Sequence, residues 1–120
     1  MPKFMFVFRG GGYAAPGTLS PTELQQHLGR WNAWTTALMQ AGNRVEAHAL
    51  EFPAAGQVVR GRDRVVTDGP YAESKDLVSG ILIVEAASLQ AAATIARDCP
   101  ILEFADGSVE VRPVLERSDG

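Results

Sequence analysis

Two stretches of this chain are apolar on both sides of an extended backbone, and they restrict the fold more than any other feature. In Lys3-Phe4-Met5-Phe6-Val7-Phe8-Arg9 successive side chains alternate between faces, so Phe4, Phe6 and Phe8 share one face and Met5 and Val7 the other. In Val78-Ser79-Gly80-Ile81-Leu82-Ile83-Val84-Glu85, Ile81 and Ile83 oppose Leu82 and Val84 in the same way. Both stretches are rich in the aromatic and β-branched residues that suit a pleated surface. A strand with two apolar faces belongs in the middle of a sheet that is covered on both sides.

The helices that supply one cover are marked by their ends. Ser20-Pro21-Thr22-Glu23 is a start signal: Ser20 fits the N-cap, Pro21 the first helical position, and Glu23 closes a capping box. The helix is expected to stop at Gly42. Its apolar stripe is expected to be Leu24, Leu28, Trp31, Thr35, Leu38 and Gly42, widened by Trp34 and Met39, with His27 at a surface or boundary position. Ser88 caps a second helix, Leu89 to about Arg97, whose core side is Leu89, Ala92, Ala93 and Ala96; Cys99-Pro100 ends it. Arg44 to Leu50 alternates as a strand, and Gln57–Arg60 and Arg64–Thr67 form a hairpin around Gly61-Arg62-Asp63. Ser108 to Val114 is the last strand. The domain is expected to span residues 1–115, leaving 116–120 as a frayed tail.

The resulting order is βαββαβ with an inserted β-hairpin: a ferredoxin-like α+β fold, with an antiparallel sheet and two helices on one face. The other face is apolar too, and no element of the chain remains to cover it. Exposed apolar patches mark association sites and two-fold dimers are the commonest oligomers, so a homodimer through the sheet face is expected.

At 120 residues the chain is long enough for one domain with a real core. Its net charge of −3 offers nothing to nucleic acid or an anionic membrane. The single cysteine, Cys99, excludes an internal disulfide and a multi-cysteine zinc site, and is expected to be a buried structural thiol. Two histidines with no acidic cluster point to no metal site. The Gly10-Gly11-Gly12 loop does not lead straight into a helix and precedes no Gly-Lys-Ser/Thr, so it is not a nucleotide loop, and no cofactor is implied. No apolar run reaches the ~20 residues of a membrane span. Met1-Pro2-Lys3-Phe4 has no leader-like apolar region, so a cytoplasmic location is expected.

The polar stretch Val66-Thr67-Asp68-Gly69-Pro70-Tyr71-Ala72-Glu73-Ser74-Lys75-Asp76 joins the hairpin to the second doubly apolar strand, and Asp-Gly-Pro is turn chemistry. Asp68 either caps its own turn or serves as a catalytic or ligand-binding carboxylate. Gly69, Pro70, Tyr71, Glu73, Ser74 and Lys75 either form a solvated loop or hold a small polar ligand: Lys75 and backbone N–H groups for an anion, Tyr71 as a wall. His48 shares a strand face with Glu46, which reads as a solvated pair or as an imidazole oriented for general-base work. Arg112 beside Pro113 either clamps a ligand carboxylate or pins the loop through Asp68 or Glu73. A small-molecule pocket between the sheet and the Asp68–Asp76 loop, lined by Phe and Tyr, is the leading expectation.

That same stretch resembles the signature of the DGPF family, within the YCII-related domain superfamily, where Thr-Asp-Gly-Pro-Phe-Ala-Glu-Thr-Lys-Glu is usual. Tyr71, Ser74 and Asp76 are conservative departures. The Lys3–Arg9 strand, the Leu38–Gly42 helix end and Val109-Glu110-Val111-Arg112-Pro113 fit the same pattern. The resemblance implies a dimeric α+β-barrel but no general activity. Some such proteins are encoded near, or fused to, extracytoplasmic-function sigma factors, which makes a regulatory contact with a sigma factor one alternative. Distant relatives include a dehydrochlorinase, and muconolactone isomerase shares the fold, so a lyase or isomerase using Asp68 or His48 as base is another. The His and Asp paired in simple YCII proteins correspond here to Trp31 and Asn43, neither of which transfers protons at neutral pH.

Overall fold

A computed structural model describes residues 1–11, 19–51, 55–69 and 76–116. The elements are β1 (Lys3–Arg9), α1 (Pro21–Gln40), β2 (Arg44–Ala49), β3 (Gln57–Arg60), β4 (Val65–Asp68), β5 (Val78–Glu85), α2 (Leu89–Ala96) and β6 (Ser108–Pro113). The two doubly apolar strands are the central pair of an antiparallel sheet ordered β2-β5-β1-β6. β3 and β4 form a separate two-stranded ribbon. The expected ferredoxin-like α+β arrangement with its inserted hairpin is therefore present.

Register decides which residues meet. Phe4 lies opposite Val84 and Pro113, Phe6 opposite Leu82 and Val111, and Phe8 opposite Gly80 and Val109. Phe4, Phe6, Phe8, Leu82 and Val84 are buried beneath the helices, together with Leu38, Ala92, Ala96, Cys99 and Ile101. Met5, Val7, Ile81 and Ile83 alternate to the opposite face and are only half-buried. No helix among the described residues is long and apolar enough to cross a membrane.

The capping box at the start of α1 is formed: the Glu23 N–H donates to Ser20 Oγ at 3.1 Å and the Ser20 N–H to Glu23 Oε1 at 3.2 Å. Gly42, at φ +79°, follows its C-cap. The buried stripe of α1, however, differs from the expected one. Leu24 and Leu28 are exposed, whereas His27 and Leu38 are buried and Trp31 and Trp34 are half-buried. The helix turns toward the sheet along 27, 31, 34 and 38. Trp31 meets Phe8 edge-on at 5.1 Å and Trp34 stacks near Phe6 at 6.4 Å. Two indoles over a ladder of phenylalanines bury more area than two leucines, and that settles the rotation. On α2 only Ala92 and Ala96 of the expected core side are buried; Leu89 and Ala93 face solvent.

After α2 a short 3-10 turn, Pro100–Glu103, carries the chain to β6. Gly107 packs directly on it: a Cβ at Gly107 would collide with the Ile101 carbonyl. Gly107→Ala is accordingly expected to cost about 2–3 kcal/mol in chemical denaturation, because backbone must move on both sides. Gly61→Ala meets open space and only a left-handed backbone, so it should cost about 1 kcal/mol. Equal losses would contradict this packing.

Candidate functional site

Beneath α1, on the β2–β5 half of the sheet, lies a cleft of about 280 Å³. Its origin is the small residues that the sheet presents there. Ala47 and Ala49 are the helix-side residues of β2, and Gly80 of β5 has no side chain; a Cβ there would sit 2.8 Å from the His48 carbonyl oxygen. Where β1 and β6 offer phenylalanine and valine the core is filled, and where β2 and β5 offer alanine and glycine it is open. Phe8 and Trp31 wall the cleft and Leu28 lines its side. Asn32 and Thr35 add polar atoms from α1. The Thr35 hydroxyl donates to the Trp31 carbonyl at 3.0 Å, so toward the cleft it offers lone pairs.

Behind Trp31 runs a chain of hydrogen bonds. The Trp31 indole N–H donates to His27 Nε2 at 2.8 Å. In the neutral ring that places the proton on Nδ1, which lies 3.2 Å from Glu103 Oε2. Arg30 grips the same carboxylate with two bonds, Nε at 2.6 Å and an Nη at 2.8 Å. Those bonds hold the Glu103 carboxyl below its ordinary value of 4.5, with His27 adding to the effect and partial burial opposing it. They raise the Arg30 guanidinium in turn. His27 is 2% exposed and also meets Phe104 edge-on at 4.9 Å. The expected surface position for His27 was wrong: the ring is a buried link that fixes the Trp31 wall and ties α1 to the 3-10 turn. The i, i+4 spacing of His27 and Trp31 was a usable signal, since a buried indole N–H needs an acceptor. Nothing local pointed to Glu103, 76 residues away from His27.

The sequence candidates fall elsewhere. Asp68 is exposed at the end of β4, opposite Gln57, and thus on the separate ribbon instead of against the cleft. Gly69 is buried at φ +131°, and its N–H donates to the Gly56 carbonyl at 3.3 Å. Pro70, Tyr71, Glu73, Ser74 and Lys75 lie outside the described residues. Beyond them, the Gly10 N–H donates to the Leu77 carbonyl at 3.0 Å, close in sequence to the Ser79-Gly80 edge of the cleft. His48 borders the cleft through its strand, while strand alternation carries its imidazole to the open face; there Nε2 is 2.8 Å from Glu46 Oε1. Arg112 is 72% exposed, and its described partner is Glu110 at 3.6 Å; of the two loop carboxylates it was expected to pin, Asp68 and Glu73, the second lies outside the described residues. Asn43 acts structurally, donating from Nδ2 to the Glu85 carbonyl at 3.0 Å. Burial pushes the Cys99 thiol up to about 12, as suits an inert core sulfur. No group of three His, Cys, Asp or Glu able to hold a metal occurs among the described residues.

This architecture defines a ferredoxin-like α+β domain with an apolar cleft under its long helix. The chain belongs to the YCII-related domain family, whose model matches residues 12–118. An uncharacterized protein of Rhizobium meliloti is 40% identical over 52 residues, which is 43% of this chain and 42% of that relative. The chain therefore matches less than half the length of that relative. Among solved structures, 5-chloro-2-hydroxyhydroquinone dehydrochlorinase of Burkholderia phenoliruptrix, in complex with 2,5-dihydroxybenzoquinone, is similar at a TM-score of 0.40 and 18% identity, over 90% of each chain.

The Glu103 geometry has a pH signature. Because its folded carboxyl titrates low, the unfolded chain takes up the proton first as pH falls. The stabilisation is complete above about pH 5 and is lost as pH drops through the folded value. Glu103→Gln should therefore be less stable than the parent at pH 7, and the gap should shrink toward pH 3 in urea titrations. A gap independent of pH would contradict the assignment.

Proposed function

We propose that this domain binds a small, neutral aromatic molecule bearing a hydroxyl donor, in the cleft under α1, and that it works as a homodimer joined through the open face of the sheet. One observation carries the ligand reading: the rings of Phe8 and Trp31 stand beside a floor of Ala47, Ala49 and Gly80. A flat ring fits over alanine and glycine. The volume of about 280 Å³ lies at the small end of ligand pockets, which begin near ~300 Å³, and suits a single ring. Charge argues in the same direction. No Lys, Arg, Asp or Glu lines the cleft among the described residues, so an ionised ligand would lose its hydration without a counter-charge. The lone pairs of Thr35 favour a ligand that donates, such as a phenol. Half-buried Met5, Val7, Ile81 and Ile83 on the open face support the dimer.

Binding is favoured over general-base catalysis because Asp68 stands on the β3–β4 ribbon and the His48 imidazole points to the open face. A contact with a sigma factor rests on family resemblance alone.

A thermal-shift panel of phenols against benzoates of equal size tests the ligand reading, since a ligand specific to the folded state at a hundred times its Kd adds about 2.7 kcal/mol. Phenols should raise the melting temperature and benzoates should not. Ala49→Leu, at an exposed position on the cleft floor, should keep the fold and abolish the shift. Benzoates that stabilise equally, or an unaffected Ala49→Leu variant, would contradict it.

A further inference from the structure

Trp31 is at once a wall of the cleft and a donor to a buried titratable ring. Its indole N–H donates to His27 Nε2 at 2.8 Å, and His27 is buried. The other ring nitrogen, Nδ1, lies 3.2 Å from Glu103 Oε2. Arg30, from the same helix, binds both oxygens of that carboxylate, and the Phe104 ring stands edge-on to the imidazole at 4.9 Å. Among the described residues, Glu103 is thus the anion that faces His27 from the 3-10 turn, and Arg30 the cation beside it.

These partners decide where a second proton goes. Arg30 foremost, with His27 adding to it, holds the Glu103 carboxyl below its ordinary value of 4.5, so Glu103 stays an acceptor in mild acid. The proton on Nδ1 therefore keeps its place, and an incoming proton lands on Nε2. That nitrogen already accepts from Trp31. Once protonated it is a donor facing a donor, and the bond between the two rings is lost. Phe8 and Trp34 pack on the Trp31 ring at 5.1 and 5.7 Å, so a displaced indole turns into the space left beside it, which is the cleft.

We infer that His27 is the positioning residue of the cleft: neutral, it holds Trp31 in the wall, and protonated on Nε2 it releases the indole, so that the cleft takes its ring ligand at neutral pH and gives it up in acid. This rests on the ring-binding reading above and adds the control of that site. The neighbouring titratable groups do not supply it. His48 borders the cleft through its strand, but its Nε2 is 2.8 Å from Glu46 Oε1 on the open face. The Cys99 thiol, pushed up to about 12 by burial, keeps its proton throughout.

Two measurements on the full chain test this, with circular dichroism to confirm that it stays folded. The first follows the indole N–H signals of the two tryptophans by NMR from about pH 8 to about pH 5, with Trp31→Phe to assign Trp31. The second measures phenol affinity over the same range, in which a phenolic hydroxyl, titrating near ~10, stays neutral. The Trp31 signal should move with the uptake of a single proton, and phenol affinity should fall about tenfold or more, the size of one lost buried hydrogen bond. His27→Gln offers Trp31 an acceptor that takes no proton, so its phenol affinity should be the same at both ends of the range. If that variant does not fold, Glu103→Gln replaces it: with the counter-charge gone, the midpoint should move to lower pH. His48→Gln should keep the parent's pH dependence. A phenol affinity that is flat with pH, or a His27→Gln variant with the parent's pH dependence, overturns the inference and keeps the ring-binding reading. A Trp31 signal that titrates in a chain binding no phenol at any pH overturns the ring-binding reading and upholds the His27–Trp31 gate. A chain that neither titrates at Trp31 nor binds phenol overturns both.

Discussion

Everything in this molecule depends on the antiparallel pairing of β1 with β5, two strands that are apolar on both faces. The Phe4–Phe6–Phe8 side, opposed by Val84, Leu82 and Gly80, takes α1 and α2 and becomes the core. The Met5–Val7 side, opposed by Ile83 and Ile81, receives no element of the described chain. Because side chains alternate with a period of two, the two faces cannot be exchanged without slipping the register and undoing the core. Core formation therefore dictates which apolar residues are left on the open face.

The cleft is a local failure of the same packing. Helix α1 spans the sheet at a height set by Trp31 and Trp34 resting on Phe8 and Phe6. Over β2 and the start of β5 that height leaves a gap, since alanines and Gly80 do not reach it. Trp31 both holds the helix up and walls the gap. Its orientation is maintained from behind by His27, Glu103 and Arg30, whose bonds join α1 to the turn before β6. The polar chain is a structural joint: the Trp31 indole N–H meets His27 Nε2, and two Arg30 nitrogens meet the Glu103 carboxylate.

The fold was largely legible in the sequence because its evidence is periodic and local. Two doubly apolar strands, the Ser20–Glu23 capping box and a run of elements in ferredoxin-like order each depend on near neighbours. The site was far less legible. Hydrophobicity alone put Leu24 and Leu28 inward and His27 outward, whereas ring area and one long-range partner decided otherwise. The cleft arises from small residues, Ala47, Ala49 and Gly80, and small residues carry no chemical signal of their own. Attention to the Asp68–Lys75 stretch followed from its reactive side chains. Of these only Asp68 and Gly69 are among the described residues, and Asp68 lies on the ribbon. Arg112 drew attention as a clamp for a ligand carboxylate or a pin for that stretch, and its described neighbour is Glu110.

The central claim is that one sheet serves two purposes, a core on one face and an interface on the other. Methyl NMR with a soluble gadolinium chelate addresses it directly, because the agent broadens only signals that solvent touches. The account predicts that the methyl groups of Met5, Val7, Ile81 and Ile83 stay as sharp as those of Leu82 and Val84, while Met39 and Val59, which are exposed, broaden. Open-face methyl groups that broaden as fast as Met39 and Val59 would contradict it.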